Sequence, residues 1–186
     1  MIDAESGHLA IPDQHLERMA VLYRYWDALP GDKPRKDVDP LELGTQLLPH
    51  VSLGALVDGC TDFRYDLISS EMKQVAPRLQ PGNRSSDALR IQKTRFDLIH
   101  HLFLSTGQSM EPKALRVTYA SMEGMPRGIN TLFLPLGRQT TADGNEAACD
   151  LMIGLWRFEP EGAIKQDKYE DVLDLFMDYL ATANEV

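Results

Sequence analysis

His100 and His101 are the residues in this sequence best suited to chemistry. An imidazole titrates near neutral pH and serves well as a general base. Arg95 and Arg116 are cations able to hold an anionic substrate beside such a base. Neighbouring residues on a helix point about 100° apart, so only one histidine of the pair can face a pocket. Asp171, Asp174 and Asp178 recur at helical spacing, which marks an exposed acidic face rather than a catalytic carboxylate set. The sequence carries no Gly-rich phosphate loop, no Gly-x-Ser-x-Gly elbow, no His-Glu-x-x-His and no paired cysteine motif. With no complete constellation, we expect a non-enzymatic protein and assign neither catalytic nor metal-binding residues.

These side chains need a scaffold, and its centre runs from Leu47 to Ser69. Val51, Leu53, Ala55 and Val57 alternate, and so do Phe63, Tyr65 and Leu67, a period of two that predicts two half-buried strands. Asp58-Gly59 opens the turn of a hairpin between them. Upstream, Pro12–Leu29 reads as a helix with two apolar stripes, Leu16, Met19, Tyr23 and Trp26 beside Leu22, Tyr25 and Leu29. Asp39 caps a short helix with Pro40 in its first position, ending near Leu48. Downstream, Ser70–Ala76 predicts a short helix, and Ser86 or Asp87 caps a longer one through about Ser105, with Leu89, Lys93, Phe96, His100 and Phe103 on one face. Three strands follow, around Leu115–Ala120, Ile129–Leu136 and Asp150–Phe158, the last apolar on both sides as a central strand should be. The polar stretch Gly137–Ala147 reads as a loop. Tyr169, Val172, Leu173, Phe176 and Leu180 predict an amphipathic closing helix.

Composition bounds the function. With 186 residues, 43% of them hydrophobic, the chain fits one domain with appendages. A net charge of -9 repels phosphate backbones, so no nucleic-acid partner is expected. No apolar run approaches a membrane span, and Met1–Ala10 reads as a polar end without a leader pattern. Cys60 and Cys149 make neither a disulfide framework nor a zinc site and fit a reducing, cytoplasmic setting.

Tyr25-Trp26, Asp39-Pro40, Leu47-Leu48-Pro49-His50 and Phe63-Arg64-Tyr65, in that order, resemble the PAS-like family of alphaproteobacteria, proteins of unknown function. Leu132-Phe133-Leu134-Pro135-Leu136 and Met152-Ile153-Gly154 look like its closing strands, and the resemblance spans Leu16 to Phe158. Ile68-Ser69-Ser70 and Leu79–Arg84 depart from the family, which has glycine-containing segments there. The resemblance implies an α+β fold: a PAS-like five-stranded antiparallel sheet with helices packed on one face, plus flanking N- and C-terminal helices. Its divisions would be 1–36 as a helical extension, 37–160 as the PAS-like domain and 161–186 as the closing helix.

The resemblance also implies an interior between sheet and long helix. Tyr65, Phe96, His100, Phe103, Tyr119, Phe133 and Trp156 are the residues expected to line it, either as a ligand pocket or as a filled core. Haem-binding PAS sensors ligate iron from a comparable helix, but a structural role suits His100 better, so no cofactor is assigned. The resulting expectation is a stand-alone sensory or adaptor domain that binds a small molecule, a signalling protein, or both. A small enzyme using His100 or His101, and a ligand-free scaffold, are the rivals. The second stripe of the first helix, Leu22, Tyr25 and Leu29, predicts a homodimer through that helix.

Overall fold

The computed structural model describes residues 11–89, 93–121, 123–138 and 149–183, without the side chains of 88–89, 93–96 and 138. The expected polar N-terminus and most of the loop 137–147 lie outside these residues. Among the described residues six strands form one antiparallel sheet: β1 (Val51–Val57), β2 (Asp62–Leu67), β3 (Lys113–Ala120), β4 (Pro126–Arg138), β5 (Cys149–Phe158) and β6 (Lys168–Asp171). Their spatial order is β2-β1-β5-β4-β3-β6, which sets the last long strand beside the first at the centre. Between β2 and β3 come α3 (Ser70–Val75), α4 (Ser85–Leu89) and α5 (Lys93–Ser109). Two strands, short helices, then three strands with β5 against β1 is the arrangement that the PAS resemblance implies.

The turn after β1 follows the sequence closely. Asp58, Gly59 and Cys60 all take positive φ, and Asp58-Gly59 tolerates that conformation well. At Gly54 the two strands press together. A Cβ there would lie 2.3 Å from both the Phe63 ring and the Arg64 carbonyl oxygen. Glycine is therefore what lets the Phe63 ring cross β1.

Helices cover both faces of the sheet, not one. On the inner face α3 and α5 enclose Leu56, Phe63, Tyr65, Phe103, Phe133, Ile153 and their neighbours. On the outer face α1 (Asp13–Asp27), α2 (Pro40–Leu47) and α6 (Leu173–Ala183) bury Met19, Leu22, Trp26, Leu132, Met152, Trp156 and Phe176. Both apolar stripes of α1 serve this second core. Leu22 is fully buried and Leu29 nearly so, and Tyr25 exchanges hydrogen bonds with the Asp39 backbone. The stripe that predicted a homodimer is thus largely covered by the chain itself.

The helix expected from Ser86 or Asp87 to about Ser105 corresponds to α4 and α5, which stand on either side of 90–92, outside the described residues. One element boundary differs from expectation. The closing helix starts at Leu173, because Lys168–Asp171 pairs with β3 as a sixth strand. Asp171 then caps α6, its Oδ1 accepting the Leu173 N–H at 3.0 Å.

Candidate functional site

The inner face holds an apolar cavity of about 40 Å³. Its floor comes from alternate residues of the central and adjoining strands, among them Tyr65, Leu115, Thr131, Phe133, Ile153 and Leu155. Its roof comes from α3 and the segment after it (Met72, Val75, Ala76, Leu79) and from α5 (Ile99, Phe103). One water-sized group occupies roughly 10–15 Å³, so the space of about 40 Å³ suits about three to four such groups. Tyr65 and Thr131 bring the hydroxyl groups of the lining. Burial pushes the Tyr65 phenol far above its ordinary value, so it stays protonated. A neutral, apolar wall disfavours an ion and suits a small neutral molecule.

The aromatic packing that shapes this space is dense. Phe103 stacks on Phe63 at 4.3 Å between centroids and meets Tyr65 and Phe133 edge-on at 5.8 and 5.7 Å. Offset and edge-to-face pairs at these separations are favourable beyond their buried area. They fix the Phe103 ring and leave the gap on its α3 side.

Serines hold the roof in place. Ser69 caps α3 by accepting the Met72 N–H at 3.1 Å, and its own N–H reaches the Ser52 hydroxyl of β1 at 3.0 Å. Asp62, at the start of β2, anchors α4. Its carboxylate accepts from the Ser85 and Ser86 hydroxyls at 2.8 and 2.6 Å and from the Phe63 and Ser86 N–H groups at 2.8 and 3.2 Å. Burial alone would raise the Asp62 pKa, but these hydrogen bonds outweigh it and hold the carboxyl below its ordinary range. The Ser85 hydroxyl is also 2.7 Å from His100 Nδ1. The serine lies between carboxylate and imidazole, and it is buried. That order ties α5 to β2. It does not activate a nucleophile, for which the imidazole would stand between the other two.

The residues expected to line the interior therefore divide. Tyr65, Phe103 and Phe133 line the cavity together. His100 points into the Asp62–Ser85 network instead. Tyr119 packs half-buried against the inner core without lining the space. Trp156 lies on the opposite face, stacked on His50 at 5.8 Å beneath α1 and α2. The side chain of Phe96 is outside the described residues. Arg116, the expected partner of a His100 base, is on the outer face over the Phe158 ring at 4.6 Å. The two do not converge on one site, and the Arg95 side chain is outside the described residues. His101 is exposed.

The sequence reading names none of the other lining residues, among them Met72, Ala76, Leu79, Ile99 and Thr131. Only the polar Thr131 at an inward strand position hinted at a site; the rest read as ordinary core. Among the described residues no group of three His, Cys, Asp or Glu side chains is placed to hold a metal ion. No described helix is long and apolar enough to cross a membrane.

No protein-family model and no curated protein matches this sequence. Among solved structures, the PAS domain of Bordetella pertussis BvgS aligns with 12% identity and a TM-score of 0.41, covering 80% of this chain and 100% of that domain. The strand order and the helices between β2 and β3 carry the PAS-like fold assignment.

Proposed function

We propose that this chain is a non-enzymatic, PAS-like sensory domain. In this reading it takes a small neutral molecule into its inner cavity and passes the signal on through protein contacts. The observation that carries the reading is the cavity itself, apolar and walled by the Tyr65, Phe103 and Phe133 rings. Ligands of about four heavy atoms gain at most about 1.5 kcal/mol per atom, so affinities tighter than tens of micromolar are not expected. Occupancy would brace α3 and α5 against the sheet, and those helices supply the surface where a partner would sense it.

The test is thermal melting with small neutral probes, acetone and 2-propanol among them. Binding to the folded state raises the melting temperature with probe concentration. Ala76→Leu fills the cavity from the C-cap of α3 and should erase the rise while leaving the protein folded. Melting curves unmoved by every probe would overturn the sensory reading and favour a scaffold or adaptor.

A further inference from the structure

The outer face of the sheet carries polar groups where α1 begins. Asn130 and Trp156 face each other across β4 and β5, and both are fully buried. Asn130 Oδ1 and Trp156 Nε1 have no hydrogen-bond partner among the described residues. The Asn130 amide Nδ2 is 2.9 Å from His15 Nδ1, on the first turn of α1. His50 stacks on Trp156 and donates from Nδ1 to the Leu155 carbonyl at 3.0 Å. Thus two half-buried histidines flank a pair of unsatisfied buried groups, under one helix.

The charges around them are mostly positive. Arg18 of α1 and Arg116 of β3 disfavour a proton on His15, and Arg18 and Arg157 of β5 disfavour one on His50. Each histidine also disfavours the other when charged. Two groups oppose this: the Leu155 carbonyl, which accepts from His50 Nδ1 and favours a proton on that ring, and Glu71 of α3, which Arg157 binds at 2.6 Å. Glu170 of β6 is 3.9 Å from Arg116. Burial is the largest effect on each ring and pushes both pKa values below their ordinary 6.5. A proton on His15 Nδ1 would also face the Asn130 Nδ2 donor. Turning the amide restores that bond but leaves the buried charge.

The two ends of α1 are held differently. At the C-terminal end Trp26 Nε1 donates to the Pro135 carbonyl at 2.6 Å, and Lys33 lies over the Trp26 ring. At the N-terminal end Pro12 offers no side-chain cap. There His15–Asn130 is the side-chain hydrogen bond to the sheet among the described residues.

We infer that Asp13–Ala20 is a proton-operated cover that lifts from the sheet when His15 and His50 become protonated, while Trp26 stays anchored. Lifting gives water to Asn130 and Trp156 and uncovers Leu16 and Met19. The sign follows from linkage. The covered state binds fewer protons, so it is favoured above about pH 6.5 and loses ground as pH falls through the lowered values. Between those limits each histidine contributes up to about a tenfold change in the covered-to-lifted ratio per pH unit, and the pair up to about a hundredfold.

Hydrogen exchange on the full wild-type chain at pH 7.5 and 5.5, corrected for the chemical exchange rate, tests this. Protection in Asp13–Ala20 should fall at least tenfold more than in β5, and His15→Gln with His50→Gln should remove the difference. Parallel loss in α1 and β5 would mean global unfolding and overturn the inference. So would unchanged α1 protection, or a pH response that survives in the double variant. If the double variant does not fold, the wild-type comparison of α1 with β5 still decides.

Discussion

Trp156 offers a sharp test of the outer core. Its side chain is fully buried, stacked on His50, and lies over Gly154 so closely that a Cβ there would meet the indole at 2.5 Å. Truncating a large buried aromatic to alanine costs about 3–5 kcal/mol through lost burial and the cavity left behind. One correction applies here. The indole N–H has no partner, and an unsatisfied buried donor carries a penalty of about 1–3 kcal/mol that truncation removes. Trp156→Ala should therefore fall at the low end, about 3 kcal/mol. Trp156→Phe keeps a ring on Gly154 and deletes the orphan donor, so it should lie within about 1 kcal/mol of wild type. Urea unfolding at constant m-value measures both. If Phe costs as much as Ala, the N–H is making a bond that stabilises the fold and the orphan argument fails. An Ala cost below about 1 kcal/mol would mean that β5 does not sit at the centre of the sheet.

Other outcomes follow from single contacts. Gly54→Ala forces a methyl group onto the Phe63 ring and the Arg64 carbonyl and should cost about 1–3 kcal/mol in thermal or urea unfolding. Asp62 contributes stability above its unfolded value of about 3.9 that is lost as pH falls through its depressed folded value, so the urea midpoint should drop between pH 5 and pH 3, and less so in Asp62→Asn. Trp26→Phe removes the hydrogen bond to the Pro135 carbonyl and should destabilise by about 1–3 kcal/mol, visible as a lower melting temperature. A homodimer through α1, if it forms, must use its outward face, where Val21 is half exposed, since Leu22 and Leu29 are buried within the chain. Light scattering that shows a monomer at high micromolar concentration would remove that proposal.

The strands were legible because their alternation is strong. β1, β2 and β5 lie at the expected positions and Asp58-Gly59 makes the turn, but β1 is buried on both faces rather than one and Leu67 ends β2 exposed. Alternation tells which residues share a face, but not which layer covers it. That is why Trp156 was expected in the interior: β5 is apolar on both faces, and helices were expected on one alone. The same gap explains the dimer expectation, since helical spacing alone leaves Leu22 and Leu29 without a partner, whereas α1 lies on the outer face and buries both. β6 escaped because Lys168–Asp171 is short, polar and half-exposed, and its Tyr169 also fits the helical spacing of α6. The Asp62–Ser85–His100 network joins residues far apart in sequence, and no local pattern pairs them. The cavity was the least readable feature, because Met72, Ala76, Leu79 and Ile99 look the same in a filled core as around a gap. What distinguishes the two is how the Phe103 ring is held by Phe63, Tyr65 and Phe133.

Methyl-resolved NMR of the full chain, titrated with acetone, tests the sensory reading most directly. Ile99, Leu115, Ile129, Ile153 and Leu155 line the cavity, whereas Leu22, Leu132 and Leu134 lie in the outer core. Saturable shifts confined to the first group, and absent in Ala76→Leu, are the expected result. Shifts spread equally over both faces, or none in the inner group at any concentration the fold tolerates, would contradict it.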